Sequence, residues 1–258
     1  MNLFRIRGIQ LAVHFSFFLL LALAAQEGWQ DAVWPGLLWN SATLVAFFAC
    51  VVLHELGHSF TAMRFGIGVR RILLMPIGGM AEFDSIPRQP SREFLITLAG
   101  PAVNFVLAGG LWFIVHSFND DVRAYSFDGL IYRIFVGNLV MGCFNLLPAF
   151  PMDGGRIFRA LLAMRLPYLR ATRIAATVSK VVCVLGIGFA LAQPLLDPTE
   201  KPLWMLALLF AFIFFAGDTE YSALVRREAE DSHWRAVLAR AYAAQHPPPT
   251  EEPPVLLR

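Results

Sequence analysis

The run Val33–Met63, VWPGLLWNSATLVAFFACVVLHELGHSFTAM, carries no charged residue outside HELGH, His54 to His58. It is longer than the roughly 20 residues a helix needs to cross a bilayer. Residues four apart share one face of a helix, so the rings of His54 and His58 point the same way and can share one divalent metal ion. Glu55 stands beside them. Ionisable side chains are costly inside a membrane and mark function there, so chance explains this cluster less well than it would in a soluble helix. Arg64 marks the end of the run, which puts His54 about 15 Å deep in a hydrocarbon core of roughly 30 Å. A metal at that depth requires a water-filled cavity that reaches it from the Arg64 side.

The rest of the chain agrees with a membrane setting. Of the 258 residues, 57% are hydrophobic and 16% charged, and mean hydropathy is +0.58. A soluble domain holds about 45–50% apolar and about 25% charged residues, so a single soluble globule and a disordered chain are both excluded. We expect an all-α polytopic membrane protein with about six transmembrane helices, over residues 9–25, 33–63, 94–118, 129–150, 175–193 and 203–216. No cleavage site follows the first run, which is read as a retained span. Of the 21 basic residues, all but Arg123, Arg133 and Lys201 fall on one side of these spans. Positive charge stays inside, so both termini are expected in the cytoplasm. The transmembrane core is expected over residues 1–217 and a cytoplasmic tail over 218–258. In that tail Tyr221–Ala244 reads as an amphipathic helix, followed by PPPTEEPP. Cys50, Cys143 and Cys183 lie in apolar stretches without a CxxC partner and read as packed thiols. No basic run suggests a nucleic-acid partner.

HELGH is the spacing of zinc metalloproteases, with the glutamate as general base. A catalytic zinc normally has three protein ligands and a water, and the candidate for the third is Asp153 in NLLPAFPMDGGR, Asn145 to Arg156. Pro148 and Pro151 end the preceding helix, and Gly154 and Gly155 permit a close turn. A broken helix is tolerated at membrane depth where it lines a cavity. The competing reading makes Asp153 a helix cap. Gly78 and Gly79, in an apolar, partly β-branched stretch, are either an exposed edge that pairs with an unwound substrate or a tight turn. Asn104, Asn138 and Asn145 either support an active site or bond between helices.

HELGH together with NLLPAFPMDGG resembles the site-2 protease family of intramembrane zinc metalloproteases. LMPIGGMAEF (Leu74 to Phe83) resembles that family's membrane-associated hairpin, and LAGPAVNF (Leu98 to Phe105) its following helix. The resemblance covers about residues 9–217. It implies one Zn²⁺ held by His54, His58 and Asp153, with catalysis by Glu55. Gly78, Gly79, Asn104 and Asn145 become candidates for substrate binding or active-site support. The implied reaction is hydrolysis of peptide bonds in or near transmembrane segments of single-pass or pre-trimmed membrane proteins, in regulated intramembrane proteolysis. The bilayer and a regulatory membrane partner complete the expected surroundings, in a bacterial cytoplasmic membrane. The connection Arg64–Arg92 is too short for a PDZ domain and the tail too short for a pair of CBS domains, so a minimal member is expected. The competing class is a metal transporter or a non-proteolytic metal-binding scaffold, which would place several ligand sets along a pathway and would not need Glu55.

Overall fold

The structure is a computed structural model and describes residues 1–76, 78–84, 89–117, 123–196 and 201–245. The Pro-rich end of the tail and the loop centres at Asp120 and Asp197 lie outside the described residues.

The chain opens with a β-hairpin. Strands β1 (Asn2–Ile6) and β2 (Ile9–Val13) pair antiparallel through Arg7 and Gly8. Both turn residues have positive φ, 48° and 90°, as a type I′ hairpin turn requires. After the first helical element the chain returns as β3 (Val69–Met75), parallel to β2, and β4 (Gly78–Phe83), antiparallel to β3. The sheet order is β1-β2-β3-β4, so the expected short hairpin is half of a four-stranded sheet with β4 at its edge. The expected first span also needs correction. Its residues Ile9–Val13 are a strand, and helix begins only at Ser16. Ile9, Leu11 and Val13 are buried against Phe48, Val51 and Leu56 of the helix and Ile72 and Leu74 of β3.

Helix α1 (Ser16–Arg64) breaks at Ala32 and Val33, where φ is −146° and 51°. Pro35 follows at the start of the second limb, a position it tolerates because its missing N–H has no partner there in any case. The limbs fold back on each other. Phe17 meets Phe48 with ring centroids 4.8 Å apart, and a side chain on Gly28 or Gly36 would run into the other's backbone. The remaining helices are α2 (Pro90–Val115), α3 (Phe127–Asn145), α4 (Asp153–Ala163), α5 (Tyr168–Leu196) and α6 (Trp204–Gln245). Five elements, α1, α2, α3, α5 and α6, are long and apolar enough to cross a membrane. The break in α1 divides the first into two limbs, which gives six.

The surface is the inverse of a soluble protein's. On α2, Gly100, Asn104 and Ala108 are buried while Val106 and Phe113 are more than 70% exposed. Small and polar residues meet between helices and apolar ones face outward, as lipid favours. The chain is a multi-pass membrane protein. Its last span and the helix expected in the tail are one continuous helix. The 42 residues of α6 span about 63 Å at 1.5 Å per residue, twice the hydrocarbon thickness.

Candidate metal centre

The second limb of α1 crosses α2 closely because both carry glycine there. A Cβ on Gly57 would lie 2.8 Å from the Ala99 carbonyl oxygen. A Cβ on Gly100 would collide with His58 Nε2 and lie 2.8 Å from His54 Nε2. The two rings therefore rest directly on the α2 backbone, perpendicular to each other with centroids 4.7 Å apart.

Their orientation follows from the hydrogen bonds behind them. Asn138 Nδ2 donates to the Ile134 carbonyl (2.8 Å), which can only accept. That turns Asn138 Oδ1 toward Asn104 Nδ2 (2.9 Å), and so Asn104 Oδ1 toward His54 Nδ1 (2.5 Å). His54 must donate from Nδ1, which in the neutral ring leaves a lone pair on Nε2. His58 Nδ1 donates to the Ile96 carbonyl (2.8 Å) with the same result. Thus a carbonyl on α3, through two amides, sets the tautomer of a histidine on α1. Asn104 and Asn138 bond between helices, and the bond from Asn104 also orients His54.

The third group arrives from α4. Helix α3 ends at Asn145, and Asp153 is the first residue of α4. Gly154 lets the start of α4 approach the Leu146 and Leu147 backbone, where a Cβ would collide, and a Cβ on Gly155 would stand 2.8 Å from the Phe150 nitrogen. Asp153 Oδ2 lies 3.2 Å from both His54 Nε2 and His58 Nε2, and the two nitrogens are 3.1 Å apart. This oxygen is buried and accepts no hydrogen bond. With both rings neutral, three lone pairs converge with no donor between them. A divalent cation resolves that arrangement, and two imidazoles with a carboxylate are a ligand set zinc accepts. Among the described residues, His54, His58 and Asp153 are the one such group.

Glu55 is adjacent to the group and outside it. Its side chain faces β4: a Cβ on Gly79 would be 2.5 Å from Glu55 Cγ and 3.0 Å from Oε1. Gly78 opens the strand at φ 134°, with open space around its α-carbon. The structure thus brings the edge strand to Glu55. Asn145 is half-buried at the end of α3, and among the described residues no hydrogen bond joins it to the group.

Gly100 and the Ile96 carbonyl carry no signal in the sequence beyond lying in or near LAGPAVNF, because their roles exist only in the packing. Gly100→Ala should improve the local helix by up to about 1 kcal/mol and still lower metal affinity by about 10-fold or more. Chelator competition and thermal unfolding of the metal-free protein, measured together, check this. Unchanged zinc affinity would show that the rings do not depend on this contact.

The profile of peptidase family M50 matches residues 42–125 and 115–187. A zinc metalloprotease of Methanocaldococcus jannaschii is 36% identical over 219 residues, which is 85% of this chain and 60% of that protein. Stage IV sporulation protein FB of Bacillus subtilis is 28% identical over 200 residues, covering 77% of this chain and 64% of its own length. The chain thus spans about 60% of the length of these relatives. Among solved structures, a site-2 protease from Methanocaldococcus jannaschii superposes with a TM-score of 0.59 at 35% identity, covering 86% of this chain and 94% of that one.

Proposed function

The chain belongs to peptidase family M50, and from that premise we propose that it is an intramembrane zinc metalloprotease, cleaving peptide bonds in or near the transmembrane segments of membrane proteins. One observation carries the reading: three converging metal donors, two of them on the helix that also carries Glu55, stand next to an edge strand that reaches Glu55 through Gly79. A protease needs all three parts, whereas a metal carrier needs only the first.

His54, His58 and Asp153 hold the metal, which when bound supplies Lewis acidity toward a water and a peptide carbonyl. Glu55 takes the proton of the attacking water and returns it to the leaving amine. The Asn104–Asn138 relay keeps His54 in the tautomer that can bind. A helical substrate hides its peptide groups in its own hydrogen bonds. The free edge of β4, with Gly78 and Gly79 at its start, can pair with a locally unwound substrate and present it beside Glu55. Asn145, at the end of α3, is the candidate to bind the substrate or its oxyanion.

The substrates are single-pass or pre-trimmed proteins in regulated proteolysis, under a membrane partner that controls access. The charge asymmetry supports both termini on the cytoplasmic side, and the family resemblance supports the cytoplasmic membrane of a bacterial cell. The transporter reading lacks support: among the described residues there is one donor group and no second along a path.

Quantitative membrane proteomics in the host, wild type against Glu55→Gln, tests the function. A few membrane proteins should accumulate in the variant while their cytoplasmic fragments vanish. If no membrane protein changes under any stress applied, the catalytic reading fails and metal transport becomes the next assay.

A further inference from the structure

Helix α2 meets both histidines and helix α4 along one stripe. Glu93, Ile96, Gly100 and Asn104 follow at helical spacing, each three or four residues on. Ile96 and Asn104 hold His58 and His54 through hydrogen bonds, and Gly100 backs both rings. Glu93, at the other end, reaches α4. Arg159 Nε donates to Glu93 Oε1 at 3.0 Å, and Arg159 Nη2 donates to the same oxygen. Both residues are only 3% exposed. The guanidinium also lies over the rings of Phe150 and Tyr168, 5.2 and 5.3 Å from their centroids.

This pair is poorly arranged for stability alone. Glu93 Oε2 and Arg159 Nη1 are buried and make no hydrogen bond, and a buried ion pair is often no more stable than an apolar pair of the same shape. Its placement suggests another use. Asp153 lies between two anchors: Phe150 before it, with its amide donating to Ser179 Oγ at 3.0 Å, and Arg159 after it on the same helix. Arg159 touches both Phe150 and Glu93, so it ties the loop that delivers Asp153 to the helix that holds the histidines.

We propose that Glu93 and Arg159 are positioning residues for the metal centre: their ion pair fixes the register of α4 on α2 that brings Asp153 Oδ2 to both histidine nitrogens. The inference rests on the metal-centre reading, and the test separates the two. Full-length protein is purified in detergent as wild type, Glu93→Leu/Arg159→Met, Arg159→Lys and Asp153→Ala. Zinc affinity is read by competition with a chromophoric chelator, and the unfolding midpoint is read on the metal-free protein. The double variant leaves no unpaired buried charge, so its metal-free midpoint should stay at or above that of the wild type. Its zinc affinity should fall about 10- to 100-fold. Arg159→Lys keeps the charge without the two-pronged grip and should fall in between.

Wild-type zinc affinity in a folded double variant overturns the positioning role. Loss of affinity only in step with loss of the metal-free fold also overturns it, since the pair would then be merely structural. If Asp153→Ala itself binds zinc as wild type does, the metal-centre reading is what fails. If Asp153→Ala loses zinc and the double variant keeps it, only the clamp fails.

Discussion

Asp153→Asn should bind zinc at least about 100-fold more weakly than the wild type and fold as well as it does. The substitution keeps the shape of the side chain and removes its charge. In the proposed metal centre that charge is essential, because the two imidazoles would be neutral donors and Asp153 would supply the one anionic ligand. Removing a group that only hydrogen-bonds a ligand costs roughly 10- to 100-fold in metal affinity, so loss of a ligand should cost no less. The alternative is a helix-terminal role. Asp153 is the first residue of α4, where a carboxylate contributes about 0.3–1 kcal/mol through the helix dipole. Asparagine is a good residue near a helix start, so under that reading Asp153→Asn would change stability slightly and leave zinc untouched. The geometry favours the first reading: Asp153 Oδ2 turns to the two histidine nitrogens. Metal content after dialysis and chelator competition decide the matter. A fully loaded Asp153→Asn protein would remove Asp153 from the ligand set.

The three side chains that converge in the structure were legible in the sequence because the membrane makes polar residues rare. His54, His58 and Asp153 stand out against apolar surroundings, and their types leave few chemistries open. The strand Ile9–Val13 was not legible. Five mostly apolar residues do not distinguish a buried strand from the start of a helix, and the partner that makes Ile9–Val13 a strand, β3, lies some sixty residues on. The local signal was Arg7-Gly8, a turn whose meaning depends on a strand on either side. The continuity of α6 was hidden for a similar reason. Composition changes from apolar to charged after Ala216, and the eye sets a boundary there, but nothing between Gly217 and Tyr221 breaks a helix. Gly100 and the Glu93–Arg159 pair belong to a third class. Their roles depend on which helix faces which, so no spacing within one segment could reveal them.

Glu55→Gln should keep zinc at wild-type stoichiometry and reduce cleavage by about 10²- to 10⁴-fold, the usual contribution of a general base. Glutamine preserves the size and the hydrogen-bonding carbonyl of the side chain but cannot accept a proton at neutral pH. Zinc should remain because Glu55 is outside the donor group: its side chain lies along Gly79 of β4, not among the three converging atoms. That placement also explains why the proposed base sits in sequence between the two histidines. One helical residue on from His54, it is turned away from the shared face and toward the edge strand where a substrate would lie. The measurement is cleavage of a membrane-embedded substrate taken from the proteomic comparison, in proteoliposomes, with zinc content determined on the same preparation. Loss of zinc with loss of activity would make Glu55 a ligand. Zinc retained with activity within tenfold of the wild type would mean that another group takes the proton. The expected combination, full metal and almost no cleavage, assigns the proton transfer to Glu55 and the metal to its three neighbours.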